Sequence, residues 1–316
     1  MRRAEFFQSI WRQSSGMLQP GARIAIIGAG ISGLHLAHAF CEKKISVTVF
    51  DPRKNGGVRV PLVHACHTVK TRAPLWEKAA EYSRAWYRSQ TAKGNDIFEG
   101  QNEFGAFFNI RLRPYLRRLR SRLAAQGVAF RYDVADKNSV LVDFELTCVA
   151  TGAATTLAAT RIVPGWESYF SRMGAPATDA NIGKNGCKIT NYIYMEKRAG
   201  FIHRNGETRA TATAFAHDLH PAARHALFYG ERLTTRDRFP VLGFADSANP
   251  SPYLFCAMGY HAMTYAPYLS QAAVAHLLGQ TVPDENLICA LTPARFLPRI
   301  EAQGARGANA AQRGSV

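Results

Sequence analysis

Paired cysteines are missing from this chain. Its six cysteines are Cys41, Cys66, Cys148, Cys187, Cys256 and Cys289, and no two stand in a CxxC spacing. Most sit in apolar runs, which argues for reduced, buried thiols and against a disulfide frame or a cysteine zinc site. Long apolar runs are missing too. No stretch approaches the ~18 consecutive apolar residues of a membrane-spanning helix. The opening Met1–Trp11 is basic but has no long apolar core, so it reads as a short arm rather than a signal peptide. These absences give an expected cytoplasmic location. Acidic residues are scarce: 23 Asp and Glu face 39 Lys and Arg, for a formal net charge of +16 and a pI of about 9.9. An excess of this size fits a polyanionic partner such as nucleic acid, an acidic membrane surface, or a generally arginine-rich proteome. Internal repeats are absent. His217, His220 and His225 lack a helical frame and a nearby carboxylate pair, so no metal site is expected. What remains is 316 residues, 47% hydrophobic, enough for a sizeable core and about two domains.

The most specific pattern present is Arg23-Ile-Ala-Ile-Ile-Gly-Ala-Gly-Ile-Ser-Gly33, followed by Val47-Thr-Val-Phe-Asp51. An apolar run, a GxGxxG turn, a helical pattern, a second apolar run and an acid form a βαβ dinucleotide signature. Gly28 permits the tight turn, Gly30 lets the backbone approach a pyrophosphate, and Gly33 lets helix and strand close together. The pyrophosphate would lie on the amides of Ile31 and Ser32, at the positive end of the helix. Asp51, 18 residues past Gly33, can accept from ribose hydroxyls, and Pro52 follows it. At this point NAD and FAD fit equally.

Further along, the spacing predicts a strand at 23–28, a helix at 31–43 with Leu34, Ala37 and Phe40 on one face, and a strand at 45–50. Helices are predicted from Pro74 to Arg88 and from Pro114 to Gly127, the second with a Leu116, Leu119, Leu123 stripe. Arg111, Arg113, Arg117, Arg118, Arg120 and Arg122 put six arginines in twelve residues. They read as a solvated helix face or as a phosphate-contacting patch. A strand at 146–149 ends in Ala150-Thr-Gly152, residues 155–230 read as short alternating strands, and Tyr253–Met258 is a buried strand. The last helix is expected to open at Pro267 and end at Gly279, with His276 in the core. The tail from Ala302 has a disordered composition.

Two later segments go beyond a dinucleotide turn. Gly230-Glu-Arg-Leu-Thr-Thr-Arg-Asp-Arg-Phe-Pro-Val-Leu-Gly243 has the spacing GxRxxxxDxxPxxG, and Ala257-Met-Gly-Tyr-His-Ala-Met-Thr-Tyr-Ala-Pro267 precedes the last helix. Both resemble segments of the D-amino-acid-oxidase-like flavoprotein superfamily. Ala290-Leu-Thr-Pro-Ala-Arg-Phe-Leu-Pro-Arg299 resembles the end of one branch. That branch is the FAD-dependent oxidase module of the bifunctional tRNA enzyme that makes methylaminomethyl-thiouridine at the wobble position. The chain departs from this pattern at Asp51, where the superfamily usually has Glu, and at Ala262, where it favours Gly. The flavin loop Gly56–Pro61 is short, and the lobe between Gly152 and Gly230 is trimmed.

The resemblance implies an α/β fold: a Rossmann-like FAD-binding domain with an interleaved, shortened β-rich substrate domain. Residues 1–22 would be an arm, 23–75, 105–155 and 230–290 the FAD-binding domain, 76–104 and 156–229 the substrate or cap region, and 291–316 a tail. It implies FAD held by Gly28, Gly30, Ile31, Ser32, Gly33, Asp51, Pro52, Val134, Thr151, Gly152, Gly259, Tyr260, His261, Ala262 and Met263. His64 and His67 lie where the family's chain passes the flavin ring. Arg232 is expected to hold a substrate carboxylate, the alternative being an ion pair with Asp237 or Asp246. His261 is expected to donate a proton, the alternative being a solvent-facing turn histidine. The implied reaction removes the carboxymethyl group from a carboxymethylaminomethyl uridine in tRNA, with tRNA held through Arg111, Arg113, Arg117, Arg118 and Arg120 and a methyltransferase on a separate chain. The alternatives are oxidation of a free glycine-like amino acid, or a non-catalytic FAD- or RNA-binding relative.

Overall fold

A computed structural model describes residues 8, 11–12, 14–52, 62–66, 73–91, 96–102, 105–132, 143–155, 160–171, 188–190, 199–205, 224–245 and 252–296. The chain runs β1 (Arg23–Ile27), α1 (Ile31–Glu42), β2 (Ser46–Phe50), β3 (Leu62–Ala65), α2 (Pro74–Thr91), β4 (Ile97–Asn102), β5 (Gly105–Arg111), α3 (Leu112–Ala125), β6 (Ala129–Arg131) and β7 (Leu146–Val149). It continues through β8 (Thr160–Ser171), β9 (Lys188–Thr190), β10 (Ala199–Asn205), β11 (Arg224–Thr235), β12 (Val241–Phe244), β13 (Tyr253–Cys256), α4 (Ala262–Leu277) and α5 (Glu285–Cys289). Short 3-10 turns stand at Gly152–Ala154, Gly259–His261 and Pro293–Phe296.

The central sheet has the order β12-β13-β7-β1-β2-β6. Its strands are parallel except β12, which runs antiparallel along the edge. Ile24 and Ile26 of β1, Val47 and Val49 of β2 and Cys148 of β7 are buried, as expected for parallel strands covered on both faces. Chain order runs outward from β1 through β2 to β6, then returns to β7 on the other side of β1. The β1/β7 boundary is therefore the switch point, and ligands of such sheets bind outside the carboxyl ends there.

α1 is buried on every side from Gly33 to Phe40, rather than along a single stripe. It lies between the sheet, α3 and α4, so His35 and His38 are enclosed along with the leucines. α4 opens at Ala262, five residues before the expected start, and carries Pro267 inside it. A proline there has no N–H for the carbonyl four residues back. That carbonyl, on Met263, instead accepts a hydrogen bond from the Tyr87 hydroxyl of α2 at 2.7 Å. The Ser83 hydroxyl does the same for the Thr264 carbonyl at 2.7 Å. α2 thus repairs the backbone that Pro267 interrupts, and the two helices are fixed to each other.

A second sheet, β11-β8-β10-β9, is antiparallel. Its strands β8 and β11 are each 12 residues long, in place of the short strands expected over this stretch. β8 and β11 pair along their whole length, and β11 leads the chain on to β12. A third, three-stranded sheet has the order β3-β5-β4 and borders α2 and α4. Among the described residues, no helix is long and apolar enough to cross a membrane.

Candidate functional site

Four chain segments converge at the carboxyl ends of the parallel strands. β1 runs into Gly28–Gly33, β2 into Asp51, β7 into Ala150–Thr155, and β13 into Ala257–His261. The Gly28 amide donates to the Phe50 carbonyl at 2.7 Å, and the Ala150 amide to the Ile27 carbonyl at 2.8 Å, so three strand ends are stitched together at the turn. The Ser32 hydroxyl reaches the Met258 sulfur at 3.5 Å, which ties the start of α1 to the turn before α4.

The three glycines of the first turn differ in what surrounds them. A side chain on Gly28 would strike the Ala150 carbonyl, and one on Gly33 would strike the Gly28 carbonyl oxygen. Gly30 is different: a Cβ there would meet no protein atom within 4 Å. Its backbone, at φ −81°, is open to any residue. Gly30 therefore borders open space. α1 begins beside that space with no side-chain cap and no acid in its first turn. Its uncapped amides and positive dipole end suit a phosphate. These residues fit the pyrophosphate of a dinucleotide.

Asp51 is buried, and its Oδ2 accepts the Ala29 amide at 2.8 Å. This carboxylate holds the glycine turn from within, a role the sequence reading did not give it. A carboxylate has further lone pairs, so a ribose hydroxyl remains within its capacity. Pro52 is exposed beside it, and Val134 and His67 lie outside the described residues. Thr151 and Gly152 stand at the end of β7, where the Thr151 and Thr155 hydroxyls share a hydrogen bond of 2.7 Å.

The second half of the edge is built by β13 and α4. Ala257 and Gly259 both take left-handed backbone, at φ 58° and 54°. Ala257 is not glycine, so this turn holds strained backbone, a feature that clusters at binding sites. Gly259, Tyr260 and His261 form one 3-10 turn, and Ala262 and Met263 open α4. The His261 ring meets Trp76 edge-on at 6.4 Å and Tyr265 at 6.2 Å, so it is half-buried among aromatics rather than directed wholly to solvent. His64 on β3 bonds Asn109 at 2.7 Å. Cys66 follows it with φ 58°. Burial pushes the Cys66 thiol up to about 12, against the opposing pull of Arg84 and Arg88.

Arg232 is half-buried on β11, opposite Val163. It shares a strand face with Thr234, two residues on, because side chains alternate along a strand. Thr234 bridges to Met258, and its side chain lies nearest to where a Cβ on Gly259 would be. The end of β11 thus docks on the turn before α4. The acid of the same motif has a different task. Asp237 accepts from Arg295 at 2.9 Å, from the Thr235 hydroxyl at 2.7 Å and from the Phe239 amide at 3.0 Å. Burial raises the Asp237 pKa, but Arg295, Thr235 and the Phe239 amide outweigh it, and the net shift is downward. Arg295 thereby latches the turn at Pro293–Phe296 onto the β11–β12 connection; Asp246 lies outside the described residues.

Arg111, at the end of β5, and the arginines of α3 divide into two groups. Arg118 pairs with buried Asp96 at 2.9 Å, and Arg122 donates to the Gln90 side chain at 2.8 Å. Both are structural, tying α3 to the α2–β4 region. Arg111, Arg113 and Arg117 are exposed, and Arg120 lies over the Phe130 and Tyr132 rings. Among the described residues, no group of three His, Cys, Asp or Glu is placed to hold a metal ion. His217 and His220 lie outside them, and His225 falls within β11.

The glycine turn at the β1/β7 switch point belongs to a Rossmann-like fold, and residues 26–90 match the NAD(P)-binding Rossmann-like domain family. The fold as a whole is shared with solved oxidases. Glycine oxidase from Geobacillus kaustophilus superposes with a TM-score of 0.63 at 19% identity, over 86% of this chain and 99% of that one. Iminodiacetate oxidase from Chelativorans sp. BNC1 gives 0.59 at 13% identity, over 86% and 99%. Fructosamine oxidase (Amadoriase II) from Aspergillus fumigatus gives 0.60 at 12% identity, over 87% and 89%. At these identities the likeness is one of fold. No curated protein matches the chain by sequence.

Proposed function

We propose that this protein binds FAD along the carboxyl edge of its parallel sheet and oxidises a C–N bond of an amine or amino acid. The observation that carries this reading is the convergence of Gly28–Gly33, Asp51, Ala150–Gly152 and Gly259–Met263 on one edge. A nicotinamide dinucleotide would account for the first of these segments but not for the turn before α4. The fold it shares with glycine, iminodiacetate and fructosamine oxidases supports the same choice.

Bound FAD would supply the acceptor for a hydride from the carbon beside the amine. The protein's own part is positioning and electrostatics. The amides at Gly30–Ser32 would hold the pyrophosphate, and Asp51, which holds the turn through the Ala29 amide, would offer an oxygen to the ribose. The amides of Gly259–Met263, at the positive end of α4, would lie toward the ring and favour negative charge there. Arg232, half-buried on β11, would hold a substrate carboxylate through its guanidinium fork, and His261 would act as a proton donor from the same turn.

Two substrate readings follow. A carboxymethylaminomethyl group on a tRNA wobble uridine is supported by the net charge of +16 and by exposed Arg111, Arg113 and Arg117. A separate methyltransferase would then act on the product amine. A free glycine-like amino acid is supported by what the glycine and iminodiacetate oxidases of the same fold act on. Titration of the purified protein with FAD tests the cofactor: flavin absorbance must accompany the protein, and its absence after loading rejects the reading. Binding of tRNA in low salt separates the substrates. Association that weakens steeply as salt rises supports the tRNA reading, and no association at low salt leaves the free amino acid.

A further inference from the structure

β11 ends in a turn that presents two arginines and a phenylalanine at the rim of the candidate site. Arg236, Arg238 and Phe239 are exposed, while Thr235 before them and Pro240 after them are buried. The placement follows from the strand pairing. Thr234 bridges to Met258, and Val241, the first residue of β12, pairs with Cys256 at the end of β13. The turn therefore stands at the carboxyl edge of the central sheet, beside Gly259–His261 and directly after the strand that carries Arg232.

The turn is held from within. Asp237 accepts from the Thr235 hydroxyl, the Phe239 amide and Arg295, and Arg295 also donates to the Phe239 carbonyl at 2.9 Å. The acid of the turn is thus neutralised by Arg295, and Arg236 and Arg238 set the charge that faces outward. Arg238 takes left-handed backbone at φ 64°, where glycine or asparagine would sit with less strain. A turn that only joined β11 to β12 would not need an arginine there. The partner's chemistry follows from the kind of charge. The chain has 29 arginines against 10 lysines. A guanidinium fork matches phosphate oxygens, whereas an acidic membrane surface is served as well by lysine. The exposed Phe239 ring beside the arginines adds a face on which a base can stack.

Resting on the tRNA reading above, we infer that Arg236, Arg238 and Phe239 form a docking turn for the RNA strand that flanks the oxidised group, with the arginines on phosphates and the ring against a base. An RNA strand held there lies beside the Gly259–His261 turn, which brings its modified base to the end of β11 that carries Arg232.

The test measures binding of an unmodified tRNA anticodon stem–loop to the full chain as salt rises. Arg236→Gln combined with Arg238→Gln should weaken binding at low salt at least about tenfold and lower the slope of log affinity against log salt by about 2. Phe239→Ala should weaken binding at least about fivefold and leave the slope unchanged. Lys43→Gln combined with Lys44→Gln removes the same charge at the exposed far end of α1, on the amino edge of the sheet, and should change neither quantity. Equal losses from the lysine pair would show that net charge alone binds RNA, and would overturn the docking turn. In the wild type, RNA should shield Arg236 and Arg238 from modification by phenylglyoxal. That measurement needs no variant, so a variant that fails to fold leaves the test intact. Arginines that RNA does not shield overturn the inference. So does an arginine pair variant that loses binding to vesicles of phosphatidylcholine and phosphatidylserine but keeps its RNA affinity, which would assign the turn to a membrane. If the wild type binds no RNA at low salt, the tRNA reading fails; if it binds RNA and the arginine variants match it, this inference fails by itself.

Discussion

Gly30 and Gly33 stand three residues apart, and a methyl group has opposite consequences at each. At Gly33 it collides with backbone inside the protein. At Gly30 it enters open space beside the uncapped start of α1. Gly30→Ala is therefore expected to leave the thermal unfolding midpoint unchanged while weakening FAD binding at least about tenfold, ~1.4 kcal/mol. A drop in stability with unchanged affinity would assign Gly30 to packing instead. The glycine turn was legible because its requirements are local: a strand, a tight turn and a helix within a dozen residues. Asp51 was only half legible. Its spacing marked it as a ribose acceptor, but its bond to the Ala29 amide depends on where the end of β2 comes to rest. Arg117 and Arg118 look alike in sequence, yet only Arg118 turns inward, because Asp96 on a separate segment waits for it. Partners of this kind leave no local signal.

At the scale of elements, the joint between α2 and α4 stands out. Pro267 read as a helix start because proline is favoured there, yet α4 begins at Ala262. What permits this is the Tyr87 hydroxyl on the Met263 carbonyl, a contact between residues far apart in the chain. Tyr87→Phe should cost about 1–3 kcal/mol, the penalty of a buried unpaired carbonyl. Adding Pro267→Ala restores an N–H within the helix, so the double variant should recover part of that loss in urea unfolding. Strictly additive effects would show that the hydroxyl does not compensate for the proline. The motif around Arg232 gives the complementary lesson. Its spacing identified the segment, but the division of labour emerged only when Arg295 claimed Asp237 and Thr234 met Met258.

Across the whole molecule, two buried histidines make stability depend on pH. Burial, with His38 and Arg122 adding to it, lowers His35 to about 3, and burial lowers His276 to about 4. His35 bonds the Tyr115 hydroxyl at 3.0 Å, while His276 bonds Ser14 at 2.9 Å and stacks on Trp11, clamping the N-terminal arm to α4. In the unfolded chain both titrate near ~6.5. Below that value the unfolded state binds more protons than the folded one. Stability present above about pH 6.5 should then fall toward pH 4, by up to ~1.4 kcal/mol per pH unit for each histidine. Urea midpoints at about pH 8 and about pH 5 check this, and equal midpoints would show that neither ring is held neutral by the fold.

The proposed flavin site joins the Rossmann edge, the strand ends and the α4 turn, and its proposed chemistry is oxidation of an amine. Anaerobic mixing of the FAD-loaded protein with a secondary amino acid, and separately with tRNA bearing the carboxymethylaminomethyl group, tests it most directly. The oxidised flavin absorbance should bleach with at least one of them and return on admitting oxygen. Bound FAD whose spectrum neither substrate changes would show that the site does not oxidise these amines.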